Sequence, residues 1–89
     1  MDIEFDPNKD AINCEKHGLS LAEAAQLEWE TLIAEPDERS PHGEQRMVGF
    51  VLMGDRLHCV VYTDRDVVRR IISLRKANTR EVKRYANQV

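Results

Sequence analysis

Apolar side chains recur along this chain in two rhythms, one in each half. In the first third they fall at helical intervals. Asp6-Pro7 opens a helix, because the carboxylate can cap orphan amides and proline loses no hydrogen bond at the first helical position. That helix runs to about Lys16 or His17, where Gly18 offers a left-handed stop. Ser20 and Glu23 fit a capping box, and Leu21, Ala24, Ala25 and Leu27 or Glu28 continue at helical spacing, so a second helix is expected to about Trp29. Thr31 to Ala34 reads as a short strand before the loop-like segment EPDERSPHGE. Beyond it lie three β-branched and aromatic runs: Arg46 to Met53 (RMVGFVLM), Leu57 to Thr63 (LHCVVYT) and Val67 to Leu74 (VVRRIISL). The short gaps between them, Gly54-Asp55 and Asp64-Arg65-Asp66, join antiparallel neighbours in a meander. Asn78 then caps a last helix with Glu81 at its third position and an inward stripe of Val82, Tyr85, Ala86 and Val89. The expected architecture is α+β: an N-terminal helical pair, an antiparallel β-sheet meander and a C-terminal helix.

At 89 residues the chain supports one core, so 1–89 is read as a single domain. With 42% hydrophobic and 33% charged residues it has the composition of a folded domain rather than a disordered tail. No apolar run approaches the roughly 18–20 residues of a membrane span, and MDIEFDPNKD lacks the basic-then-apolar order of a signal peptide. A cytoplasmic protein without membrane contact is expected. Cys14 and Cys59 are far apart with no C-x-x-C spacing and read as free thiols.

Charge is distributed unevenly. Residues 1–68 hold six basic and fifteen acidic side chains, a net of −9, whereas residues 69–85 carry +6. Regular alternation in the last strand puts Arg69, Ile71, Ser73 and Arg75 on one face and Val68, Arg70, Ile72 and Leu74 on the other. In the following helix Arg80, Lys83 and Arg84 share a side. Charged helix faces are commonly just solvated, but like charges gathered on a strand face are tolerable only if a polyanion or nearby carboxylates compensate them. Phosphate suits arginine, whose planar fork binds it bidentately.

The pattern F-D-P-N-K... N-x-x-K-H-G-L-S (Phe5, Asp6, Lys9, Asn13, Lys16, His17, Gly18, Ser20), followed by G-E-x-R, a strand ending Y-T, R-I-I-S-x-R-x-A and R-E-x-x-x-Y, resembles the BrnT family across nearly the whole chain. The resemblance implies a small ribonuclease toxin with a RelE-like fold, which cuts RNA and blocks translation. It also implies a BrnA-type antitoxin with a ribbon-helix-helix DNA-binding domain, the pair together repressing their own operon, so that operator DNA is met only through the complex. This sequence has Phe5 where the family often has Trp, which keeps an aromatic anchor, and Leu74 where a small residue is common.

A metal-free ribonuclease of this kind, with no cofactor, needs a base for the 2′-hydroxyl, cations for the phosphorane and an acid for the leaving 5′-oxygen. Arg75 and Arg46 are assigned to the phosphate, Arg69 or Arg70 to further clamps and Arg80 to an RNA-backbone contact, with Lys83 and Arg84 beside it. Glu44 is the candidate base; pairing with Arg46 is its structural alternative. Lys16 and His17 end the first helix, and His17 is the candidate acid, histidine being the side chain type whose unperturbed pKa of about 6.5 best suits acid–base exchange. Its alternative is to meet the helix dipole and the last carbonyls. Ser73 could donate to a phosphate or to the backbone. Tyr85 could stack on a base, but core packing suits its place in the apolar stripe better. His42 and His58 lack partners at metal-binding spacing, and Cys14, His17, His58 and Cys59 make at best a weak zinc set. Cys59 reads as core and Trp29 as an anchor beneath the sheet. Glu23, Glu28, Glu30, Glu35, Asp37 and Glu38 serve solubility or receive a basic antitoxin segment. The rival reading is a non-catalytic RNA-binding or antitoxin-binding module acting as co-repressor; direct DNA binding is disfavoured by the negative net charge and the lack of a helix-turn-helix.

Overall fold

The computed structural model describes residues 1–39 and 43–89. Its order is β1 (Asp2–Phe5), α1 (Pro7–His17), a 3-10 helix (Leu21–Gln26), β2 (Glu28–Pro36), β3 (Met47–Met53), β4 (Arg56–Arg65), β5 (Val68–Lys76) and α2 (Thr79–Gln88). The five strands form one sheet in the order β1-β5-β4-β3-β2. β2 to β5 run antiparallel to their neighbours, but β1 pairs with β5 in parallel, so the sheet is mixed.

Where sequence signals were local, the structure follows them. Asp6 caps α1 by accepting from the Asn8 amide at 2.8 Å, and Gly18 ends the helix at φ 70°. Asn78 and Glu81 close a reciprocal capping box at the start of α2. The β3–β4 turn uses Gly54 at φ 65°, and the β4–β5 turn places Asp66 in the left-handed region at φ 53°.

Four expectations need correction. The second helix is a six-residue 3-10 helix, and Trp29 lies in β2. Leu21, Ala24 and Leu27 are all buried while Ala25 is exposed. An apolar spacing of three, repeated, matches the three residues per turn of a 3-10 helix better than an α-helical stripe. Second, β1 was not anticipated at all. Third, the strand expected at Thr31 to Ala34 runs from Glu28 to Pro36, taking the first residues of the supposed loop into the sheet. Fourth, the stripe assigned to α2 is not buried: Val82, Ala86 and Val89 are exposed, and only Glu81 and Tyr85 are partly covered. The Tyr85 hydroxyl donates to the Thr31 carbonyl at 2.5 Å, tying α2 to β2.

The core lies on one side of the sheet. Leu19, Leu21, Ala24 and Leu27 pack there against Val51, Val60, Tyr62, Ile71 and Leu74. Ile71 and Leu74 share that face although they are three residues apart. The reason is a bulge: Val61 pairs with Ser73 and Tyr62 with Ile71, leaving Ile72 as the extra residue of β5.

Helix α1 is held by polar bolts, since its only buried residue is Asn13. The Asn13 amide donates to the Leu19 and Leu74 carbonyls, both at 2.8 Å, and accepts from the Leu74 amide at 3.1 Å. β1 accompanies β5 only as far as Ile71, so Asn13 takes over the open strand edge at Leu74. Asp10 does the same for the 3-10 helix, accepting from the Leu21 amide at 2.7 Å and the Ser20 hydroxyl at 2.9 Å.

Replacing Asn13 by alanine leaves three buried backbone groups without partners. At about 1–3 kcal/mol for a buried unsatisfied group, part of which relaxation recovers, Asn13→Ala should cost about 3 kcal/mol or more. Urea unfolding at neutral pH measures it, and a loss below about 1 kcal/mol would show that α1 is held by other means.

Candidate functional site: a cationic cleft beside the β5 bulge

On the face of the sheet opposite the core, two hollows lie side by side between α1 and β5. One, of about 140 Å³, is lined by Lys9, Glu44, Arg46, Thr63, Arg70 and Ile72. The other, of about 170 Å³, is lined by Lys9, Ile12, Asn13, Lys16, His17, Ile72 and Ser73. Lys9 and Ile72 belong to both, so the bulged residue and one lysine form the wall between them. Lys9, Ile12, Asn13 and Lys16 recur at intervals of three and four, which brings them onto one side of α1. Once Asn13 is bolted to β5, Lys9 and Lys16 overhang the sheet. A larger hollow, of about 510 Å³, lies against the Glu35–Arg39 segment, where carboxylates dominate; an anionic substrate would not favour it.

Six of the assigned residues meet in this cleft: Glu44, Arg46, Arg70, Ser73, Lys16 and His17. Glu44 pairs with Arg65, not Arg46, through two hydrogen bonds, one of 2.8 Å between Oε1 and Nη2. That contact, with the nearby charges of Arg65 and Arg70, holds the Glu44 carboxyl below its usual range. Arg70 reaches back to β1, where its Nη1 lies 2.5 Å from Glu4 Oε2, both side chains staying partly open to solvent. The Thr63 hydroxyl donates to the Gln45 carbonyl at 2.8 Å and fixes the chain that carries Glu44.

Five assigned residues stand elsewhere. Arg69, expected beside Ser73 and Arg75, is on the core face, because the bulge reverses the alternation between them. There its guanidinium stacks 4.2 Å from the Tyr62 ring and 4.8 Å from the Trp29 ring, and forms two hydrogen bonds to Asp64 of 2.8 and 2.9 Å. Arg75 shares the face of Ser73 but spends its fork on Glu81, with two bonds of 2.8 Å. Arg80, Lys83 and Arg84 are exposed on α2, and Arg84 flanks a small hollow against β2 and β3 with Ile33, Val48 and Phe50.

Lys9 is the cleft residue that received no role from sequence, although it stands in the F-D-P-N-K motif. Its signal was the shared helix face with Asn13 and Lys16. His58 is buried, its Nδ1 within 3.0 Å of the Arg56 carbonyl, and His42 lies outside the described residues. Both cysteines are free; Cys14 is exposed, and burial pushes the Cys59 thiol up. Among the described residues no three His, Cys, Asp or Glu side chains gather as metal ligands, and no helix is long and apolar enough to cross a membrane.

The geometry defines a small α+β protein with a predominantly cationic cleft at a sheet face. Residues 5–81 match the family model described as "Ribonuclease toxin, BrnT, of type II toxin-antitoxin system", and the chain belongs to that family. Its fold is similar to that of the Brucella abortus ribonuclease toxin BrnT, known from a 1.1 Å crystal structure. The TM-score is 0.71, over 89% of this chain and 99% of that one, at 20% sequence identity. No curated protein matches by sequence.

The Arg75–Glu81 pair makes a separable prediction about stability. Glu81 accepts from Arg75 and from the Asn78 amide, which together hold its carboxyl below the ordinary 4.5. A depressed carboxylate pKa stabilises the fold above the unfolded value and loses that contribution as pH falls through the folded one. Glu81→Gln should therefore cost about 1 kcal/mol at pH 7, a modest sum because Arg75 remains partly solvated, and less at pH 3. Urea titrations at the two pH values compare the variant with the parent; an equal or larger cost at pH 3 would contradict the assignment.

Proposed function

We propose that this chain is a metal-independent endoribonuclease, the toxin of a type II toxin–antitoxin module, working at the α1–β5 cleft. Family membership supplies the class. The observation that carries the site is the meeting of Lys9, Arg46 and Arg70 around Glu44, four residues from three separate parts of the chain. RNA cleavage by its own 2′-hydroxyl needs such a set. Glu44 takes the proton, the 2′-oxygen attacks phosphorus, and the bond to the 5′-oxygen breaks, leaving a 2′,3′-cyclic phosphate and a 5′-hydroxyl. Arg46, Arg70 and Lys9 face the charge that accumulates on the phosphoryl oxygens. His17, in the adjoining hollow, is the group that protonates the departing 5′-oxygen, and Lys16 and Ser73 steady the strand there.

Phosphate does not enter an empty site. Arg70 already holds Glu4, so the substrate displaces a carboxylate and gains only the difference between the two partners. Arg75 keeps α2 in place, and through α2 the exposed Arg80, Lys83 and Arg84 extend the positive surface for RNA. Arg69 contributes by rigidity, locking Trp29 and Tyr62 beneath the sheet.

Inhibition of translation follows from cutting RNA, with a cytoplasmic site of action and a RelE-like toxin role. The partner implied is a BrnA-type ribbon-helix-helix antitoxin, through which the complex meets operator DNA. The acidic surface of Glu23, Glu28, Glu30, Glu35 and Glu38 suits a basic antitoxin segment.

Purified chain incubated with labelled RNA in EDTA should give fragments ending in cyclic phosphate. Arg46→Ala and Arg70→Ala should each lower kcat/KM about 10–100-fold with the circular dichroism unchanged. Because Arg65 holds Glu44 ionised, the acid limb of the pH profile should fall below the ordinary glutamate value of 4.5, and move up in Arg65→Gln. Intact RNA from folded protein, with ribosomes as well as without, would favour the non-catalytic co-repressor.

A further inference from the structure

Ile12 is an exposed hydrophobic side chain, 56% accessible, on a helix whose docking needs no apolar stripe. It stands over the second hollow with Ile72, between Lys16 and His17 at one end and Lys9 at the other. From this juxtaposition we propose that the Ile12 hollow is a subsite for one unstacked nucleotide of single-stranded RNA, on the 3′ side of the phosphate held in the Arg46–Arg70 cleft. The inference rests on the ribonuclease reading and extends it to a substrate class.

The chemistry of the lining separates the two hollows. The cleft around Glu44 is ionic, with the Ile72 side chain as its apolar wall, and fits a phosphate. The second hollow pairs two isoleucines with two cationic donors, an imidazole and a hydroxyl. That mixture fits a nucleobase face together with its ribose and next phosphate. Lys9 stands in the shared wall, where a strand crossing from one hollow to the other must carry its linking phosphodiester.

A duplex cannot use this arrangement. Its bases are paired and stacked, so it would meet only the cations, whereas an unpaired base can turn out and lay its face against an apolar side chain. The 3′ nucleotide carries the departing 5′-oxygen, which places that atom on the His17 side. Ile12 touches no reacting atom. Its role is to decide which strands seat well.

The test is binding by two short probes that cannot be cut. One is an RNA dinucleotide with a 2′-O-methyl group on its first sugar and a phosphate at its 3′ end; the other is the same molecule lacking the second base. Titration calorimetry at fixed salt should give the base-bearing probe about tenfold tighter binding to the parent protein. Ile12→Ser, which alters an exposed position and should leave the circular dichroism unchanged, should remove most of that difference while the abasic probe binds as before. Equal affinities for the two probes in the parent, or no measurable binding of either, would overturn the subsite, as would a preference that survives Ile12→Ser. Failure of the ribonuclease reading looks different: the base-dependent preference and its loss in Ile12→Ser would persist while intact RNA remains uncut.

Discussion

The side-chain amide of Asn13 stands where a strand would otherwise be. β5 leaves its parallel partner at Ile71, and from there its outer edge offers an amide and a carbonyl that burial would strand without water. Asn13 bonds both groups of Leu74 and adds the Leu19 carbonyl. Three of the four hydrogen bonds an amide can make are thereby used. This contact joins α1, the segment leading into the 3-10 helix and the open edge of β5. The Ile72 bulge lies next to it, and the two hollows open on either side of that residue. Losing the amide would release the helix that carries Lys9, Lys16 and His17.

Sequence reading succeeded where structure is decided within a few residues. Caps at Asp6, Gly18 and Asn78, and the runs that became β3, β4 and β5, are of that kind. Two failures have one cause in common, distance along the chain. Asp2–Phe5 alternates Ile3 and Phe5 inward, but four residues are too few to read as a strand without knowing that β5 waits some 66 positions later. The bulge is equally silent: nothing in RRIISLR says which residue will be extra. Its consequence was the misplacement of Arg69, since regular alternation cannot survive an inserted residue. The stripe on α2 failed differently. That helix is held by Arg75 to Glu81 and by Tyr85 to Thr31, so its valines did not need to be buried.

The concentration of positive charge in residues 69–85 has a less direct meaning than its sum suggests. Arg69, Arg70 and Arg75 each meet a carboxylate, from Asp64, Glu4 and Glu81 respectively. Two of these acids, Asp64 and Glu4, are brought from elsewhere in the fold and the third, Glu81, belongs to the segment itself, which explains how like charges coexist on adjacent positions of one strand. The pairs differ in what they can do. Arg69 is enclosed by aromatic rings, whereas Arg75, tied to the cap of α2, stays partly solvated and is held mainly by its more buried partner Glu81. Arg70 and Glu4 remain half open to solvent at the rim of the cleft, where another anion can compete. Glu4 therefore holds the Arg70 fork against β1, and in the proposed mechanism a phosphate has to displace that carboxylate.

A helix that must display cations over a sheet faces a conflict. If it docked by an apolar stripe in the usual way, that stripe would occupy the surface nearest β5, and Lys9 and Lys16 would be turned toward solvent. Docking through Asp10 and Asn13 resolves this, because two short polar side chains hold the helix while leaving the flanking positions of the same face to long cationic ones. The arrangement gives up adaptability: a hydrophobic seam tolerates sliding, whereas an amide bonded to three fixed backbone groups does not. For a site built from α1 and β5 together, that rigidity is useful. Bolting α1 to β5 fixes the helix backbone that carries Lys9 relative to the strand that carries Arg70, which suits the proposed role, because electrostatic stabilisation of a developing charge depends on donors already in position.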